Sequence, residues 1–103
     1  MQRIKLMADY GCFPVWYDGQ EPDKLGDIDP ATLPISPALI ADLQTWSAWL
    51  DETLDWNDPG NTLWPDNFWK TYNAEGGKLA DRLRQELGSA FEVRAHFWGQ
   101  DAT

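Results

Sequence analysis

The chain has 103 residues, enough for one domain with its own core, and its seven Trp, four Phe and three Tyr supply that core. The mean hydropathy of -0.54 is therefore not the signature of a disordered chain. A formal charge of -9 argues against nucleic-acid or anionic-membrane partners, and a single cysteine, Cys12, excludes an internal disulfide.

The charge is uneven. Residues 8–66 carry twelve Asp and Glu against one basic residue, Lys24, whereas residues 67–103 balance five of each. A field of that sign steers a cationic partner toward the protein at low salt. Apolar runs are far shorter than the ~20 residues of a membrane span. Met1-Gln-Arg-Ile-Lys-Leu6 lacks the apolar core of a secretory signal, so the expected location is the cytoplasm.

Ile4 and Leu6 alternate with Arg3 and Lys5, which predicts a strand over residues 2–8 with one buried face. In Gly11-Cys-Phe-Pro-Val-Trp16, glycine and proline interrupt any regular element while Phe13, Val15 and Trp16 need burial; the expectation is a loop folded onto the core. Asp18-Gly19, Glu21-Pro22, Asp29-Pro30 and Leu33-Pro34 give residues 18–34 the composition of surface turns.

Ser36-Pro37 is a helix start, with serine as N-cap and proline at the first helical position. Leu39, Leu43, Trp46, Leu50 and Leu54 then recur on one helical face, so this helix is expected to end near Leu54. A second helix is expected from an Asp66 N-cap, with Phe68 or Trp69, Tyr72, Leu79, Leu83 and Leu87 as its apolar positions and Gly88 as its C-cap. Gly76-Gly77 inside it implies a kink or a close backbone approach, since each glycine costs roughly 1 kcal/mol relative to alanine. Phe91, Val93, Ala95 and Phe97 alternate with Glu92, Arg94, His96 and Trp98 in a closing strand.

The order β-loop-α-α-β predicts a single α+β domain over residues 1–103. A small sheet of the N- and C-terminal strands packs against an antiparallel helix hairpin, and the 9–34 segment adds a third short strand or an apolar cover. The pattern leaves the direction of strand pairing open.

The 51–66 stretch between the helices holds Asp51, Glu52, Asp55, Asp58 and Asp66 around Trp56 and Trp64, with no Lys or Arg. Acidic groups interleaved with large aromatics suit a docking patch for a basic protein. The candidate partner-binding residues are Asp51, Glu52, Asp55, Trp56, Asp58 and Trp64 here, and Asp18, Glu21, Asp23, Asp27 and Asp29 in the earlier turn-rich segment. Trp46, Trp16 and Trp69 are read as core; Trp49, on the helix flank, joins Trp56 and Trp64 as a surface candidate.

Catalytic constellations do not assemble. Cys12 reads as a small buried residue and His96 as an exposed strand histidine, and nothing in the spacing brings them together. Gly76-Gly77-Lys78 lacks the spacing of a phosphate loop. Asp51, Glu52 and Asp55 sit at an exposed helix end, where a carboxyl stays a weak general acid. Asp55-x-Asn57-x-Pro59-Gly60 with Asp66 at the twelfth position imitates a calcium loop. Pro59 at the fifth position and Asp66 in place of the longer Glu remove ligand quality, so an Asx-type turn is preferred. No enzyme activity, metal or cofactor is assigned.

Leu6-Met-Ala-Asp-Tyr-Gly-Cys-Phe-Pro-Val-Trp16, Asp29-Pro-Ala-Thr-Leu-Pro-Ile-Ser36, Leu54-Asp-Trp-Asn-Asp-Pro59 and Glu75-Gly-Gly-Lys-Leu79 resemble the signature stretches of a family of small acidic bacterial proteins. In size, acidity and compactness the chain is also similar in type to immunity proteins, which neutralise secreted or contact-delivered bacterial toxins, often basic nucleases. That resemblance implies a non-enzymatic binding protein that occludes a basic toxin domain; a standalone regulatory or calcium-loop module is the alternative. The oligomeric state is left open.

Overall fold

A computed structural model describes residues 2–9, 11–19, 26–53, 57–58 and 65–97. Alternation at the start of the chain produces β1 (Gln2–Leu6), followed by β2 (Val15–Tyr17) and β3 (Asp27–Ile28). A 3-10 turn at Pro30–Thr32 leads into α1 (Pro37–Thr53), then come α2 (Phe68–Leu87), a second 3-10 turn at Gly88–Ala90 and β4 (Phe91–Ala95). The sheet order is β3-β2-β1-β4. The terminal strands are neighbours, as expected, and they run parallel, with Ile4 opposite Val93 and Leu6 opposite Ala95. The 9–34 segment contributes two short antiparallel strands in place of one. Val15 and Trp16 therefore lie in a strand, not in a loop. Three residues after a proline are too few for a period to register.

The pleat sorts the sheet's two faces. Ile4, Leu6, Val15, Ile28 and Val93 are buried against the helices. The other face is polar: Arg3 sits opposite Glu92 and forms an ion pair at 3.1 Å, and Lys5 lies between Trp16 and Arg94. Trp16 is half-buried there, its indole N–H donating to the Met7 carbonyl at 2.9 Å.

The helices pair antiparallel, since contacts run from Ser36–Glu86 through Asp42–Arg82 to Trp46–Tyr72 and Trp49–Phe68. Ser36 caps α1 as expected: its Oγ accepts from the Leu39 N–H at 3.2 Å. In a capping box an acid three residues on would also take the cap's own N–H. Position 39 is instead a fully buried leucine, and Glu86 of α2 fills that role, accepting from both the Ser36 N–H and Oγ–H. Asp66 does not cap α2. The Phe68 N–H closes a turn on the Pro65 carbonyl at 3.0 Å, which moves the cap to Asn67 in left-handed conformation (φ 62°). Gly88 ends α2 as expected, at φ 64°.

What approaches α2 at Gly76 is side chain, Trp46 and Phe97, not backbone, and Gly77 meets nothing within 4 Å. Trp46 and Tyr72, 4% and 1% exposed, stack at 4.5 Å between ring centroids. The Trp46 indole N–H donates to the Tyr72 carbonyl at 2.9 Å, and the Tyr72 hydroxyl donates to the Trp46 carbonyl at 3.0 Å. Gly76, one turn beyond Tyr72, leaves the notch through which that indole reaches the helix backbone. A Cβ there would stand 2.7 Å from both Trp46 Cζ2 and Phe97 Cε1.

The two glycines are therefore expected to respond oppositely. Gly76→Ala overpacks the notch, at a cost of about 1–3 kcal/mol that outweighs its gain in helix propensity. Gly77→Ala meets nothing within 4 Å and should add roughly 0.5–1 kcal/mol. Urea unfolding of both variants checks this, and a Gly76→Ala protein as stable as the wild type contradicts the notch.

Candidate partner-binding surface

The β1–β2 connection turns at Gly11, whose φ of 69° suits glycine, and is stapled from two sides. The Gly11 N–H donates to Asp51 Oδ1 at 3.1 Å, and the Phe13 N–H donates to Asp27 Oδ2 at 2.9 Å. Between them, the Cys12 carbonyl accepts from Ser47 Oγ at 3.2 Å. Asp51 and Ser47 belong to α1 and Asp27 to β3, so three side chains from two elements fix three consecutive loop residues. The loop borders a cleft of about 320 Å³ whose opposite wall is Gln44, Ser47 and Ala48 of α1.

Two expectations fail at this loop. Phe13 is not folded onto the core; among the described residues it is the large hydrophobic side chain left exposed, at 40%. Cys12 is half-buried, not buried. Bonds from Asp51, Ser47 and Asp27 set the course of this loop, and no periodic pattern places a side chain within it. Burial pushes the Cys12 thiol above its ordinary pKa, and the carboxylates of Asp9, Asp27 and Asp51 push in the same direction. That environment is the reverse of one that activates a nucleophile. His96 follows β4 directly, exposed, with its N–H on the Leu6 carbonyl.

The acidic candidates separate into groups. Asp27 and Asp51, assigned to different stretches of sequence, meet at this loop, with Asp9 beside them. Glu52 is exposed on the last turn of α1, and Asp58 is exposed beyond it. Asp18 faces away, 3.1 Å from Arg94 on the polar side of the sheet. Asp29 is spent on local structure, its Oδ1 accepting from the Ala31 N–H of the first 3-10 turn at 2.9 Å. Glu21, Asp23, Asp55, Trp56 and Trp64 lie outside the described residues, as do most of the calcium-loop positions. Among the described residues no group of three His, Cys, Asp or Glu is placed to hold a metal. Trp49 is half-buried, with its ring against Phe68 and Tyr72. Trp69 also packs half-buried on the core. No helix among the described residues is long and apolar enough to cross a membrane.

Two other depressions among the described residues carry charged rims. One lies between the helices, with Trp46, Trp49 and Leu79 under a rim where Asp42 pairs with Arg82 and Glu75 with Lys78. The other, on the polar side of the sheet, gathers Arg3, Arg84 and Arg94 with Asp18 and Glu92. Both mix acidic with basic side chains at their rims, whereas the loop cleft is lined by carboxylates and by no basic residue.

The raised thiol pKa predicts slow alkylation. Folded Cys12 should react with iodoacetamide at pH 8 several-fold more slowly than a free cysteine peptide, because less of it is thiolate. A faster rate would restore it as a candidate nucleophile.

The chain belongs to the Serratia CdiI immunity protein-like family, whose model matches residues 2–97. A search among curated proteins found no match.

Proposed function

We propose, from membership of this immunity-protein family, that the chain is a non-enzymatic inhibitor that binds a basic toxin domain and holds it inactive by occlusion. The family match over residues 2–97 carries the reading. Charge and geometry support it. The net charge of -9 suits a partner whose working surface is positive, and a nuclease toxin is the type that fits best, since an enzyme acting on nucleic acid needs a basic cleft. Exposed carboxylates at the C-terminal end of α1 and in the 51–58 stretch would pair with Lys and Arg of the toxin, charge-assisted hydrogen bonds that also set orientation. The inhibitor would act in the cytoplasm, with neither nucleic acid nor membrane as its own ligand.

Co-expression with the product of the gene immediately upstream tests the reading. Rescue from that product's toxicity, with binding that weakens as salt is raised, is the expected result. Lack of both rescue and binding would sink the immunity reading. Asp55→Lys combined with Asp58→Lys is expected to slow association on the order of tenfold or more at low salt, with little change near 0.5 M salt and an unaltered fold. Unchanged association kinetics would remove the 51–58 stretch from the interface.

A further inference from the structure

We infer that Phe13 is the aromatic anchor of the toxin interface, inserting into an apolar pocket of the partner that is flanked by a Lys or Arg seated over the cleft beside it. The inference rests on the immunity reading and adds an aromatic anchor beside the carboxylates which that reading places at the toxin.

Three observations carry it. Phe13 is left 40% exposed in a chain that otherwise buries or half-buries its described large hydrophobic side chains. The backbone that carries it is braced: its own N–H, the Gly11 N–H and the Cys12 carbonyl are each bonded to a side chain of α1 or β3. A loop merely tolerating an exposed phenylalanine has no need of three long-range staples. An anchor does, because ordering a loop on binding costs affinity that a pre-ordered loop retains. Finally, the cleft beside the ring is walled by Asp27 and Asp51 with neutral Gln44, Ser47 and Ala48, a charge that selects a cation. The groove between the helices and the arginine-lined depression lack this combination, since both mix acidic with basic side chains at their rims.

The probe is the product of the gene immediately upstream, the candidate toxin of the co-expression test, with kinetics measured against immobilised wild type and variants. Phe13→Ala removes no hydrogen bond and only part of a side chain's burial, so it should lower the temperature of thermal unfolding modestly and leave the protein folded under the assay conditions. It is expected to weaken binding at least about tenfold, mostly through faster dissociation. Gln44→Lys places a cation on the cleft wall without touching a staple, and should slow association several-fold at low salt. Thr45→Ala, on the groove between the helices, should stay within about twofold of wild type. If wild type binds and Phe13→Ala binds equally well, the anchor is wrong and the immunity reading stands. If Thr45→Ala weakens binding and Phe13→Ala does not, the interface lies in the groove between the helices. If wild type does not bind, both proposals fall.

Discussion

Trp46 and Tyr72 each donate their polar hydrogen to the other's backbone carbonyl while their rings stack at 4.5 Å, and the rest of the structure takes its register from that clasp. Either donor left unsatisfied in this buried position would cost about 1–3 kcal/mol, and the stacked pair adds roughly 0.5–1.5 kcal/mol beyond its area. The clasp works only because position 76 is glycine; a side chain there would occupy the volume of the indole. Once the helices are fixed at this level, Ser36 meets Glu86 at one end of the pair. On α1, Ser47 and Asp51 then lie one residue and just over one turn past Trp46, where they reach the β1–β2 loop. Helix pairing and presentation of Phe13 are consequently one constraint.

Electrostatics divides the surface along the same lines. Arg3, Lys78, Arg82, Arg84 and Arg94 pair with carboxylates of their own chain, on the polar side of the sheet or along the helices. These exposed pairs contribute little to stability, each about 0–1 kcal/mol. Their larger effect is on the field. They cancel locally, so the excess of -9 falls to acids outside the pairs, Asp27 beside Phe13 among them. In the proposed immunity role, a long-range acidic field with an aromatic anchor at Phe13 would divide the capture of a toxin between association and dissociation rates.

Much of the fold was legible from residue types at fixed spacings. Ser36-Pro37 marked the start of α1, the Leu39–Leu50 face marked its buried side, Gly88 marked the end of α2, and alternation at both termini marked the paired strands. Legibility failed where the information is tertiary. A three-residue strand has no period, so β2 was read as loop. The Gly76 notch depends on a tryptophan thirty residues away. The Asp66 cap lost to a turn closed by Pro65. The candidate surface was legible only in pieces: Asp27 and Asp51 were both named from the acidity of their segments, yet their meeting depends on the helix register. Phe13 was expected inside because the sequence carries its hydrophobicity but not the three hydrogen bonds that hold it out.

Hydrogen–deuterium exchange of the chain, alone and with the product of the gene immediately upstream as the candidate toxin, tests the account most directly. The account predicts that toxin slows exchange across residues 9–14, with Gly11 and Phe13 amides protected well beyond what their bonds to Asp51 and Asp27 confer alone. Slowed exchange confined to β4, or to the helix residues that line the Trp46–Trp49 groove, would contradict it.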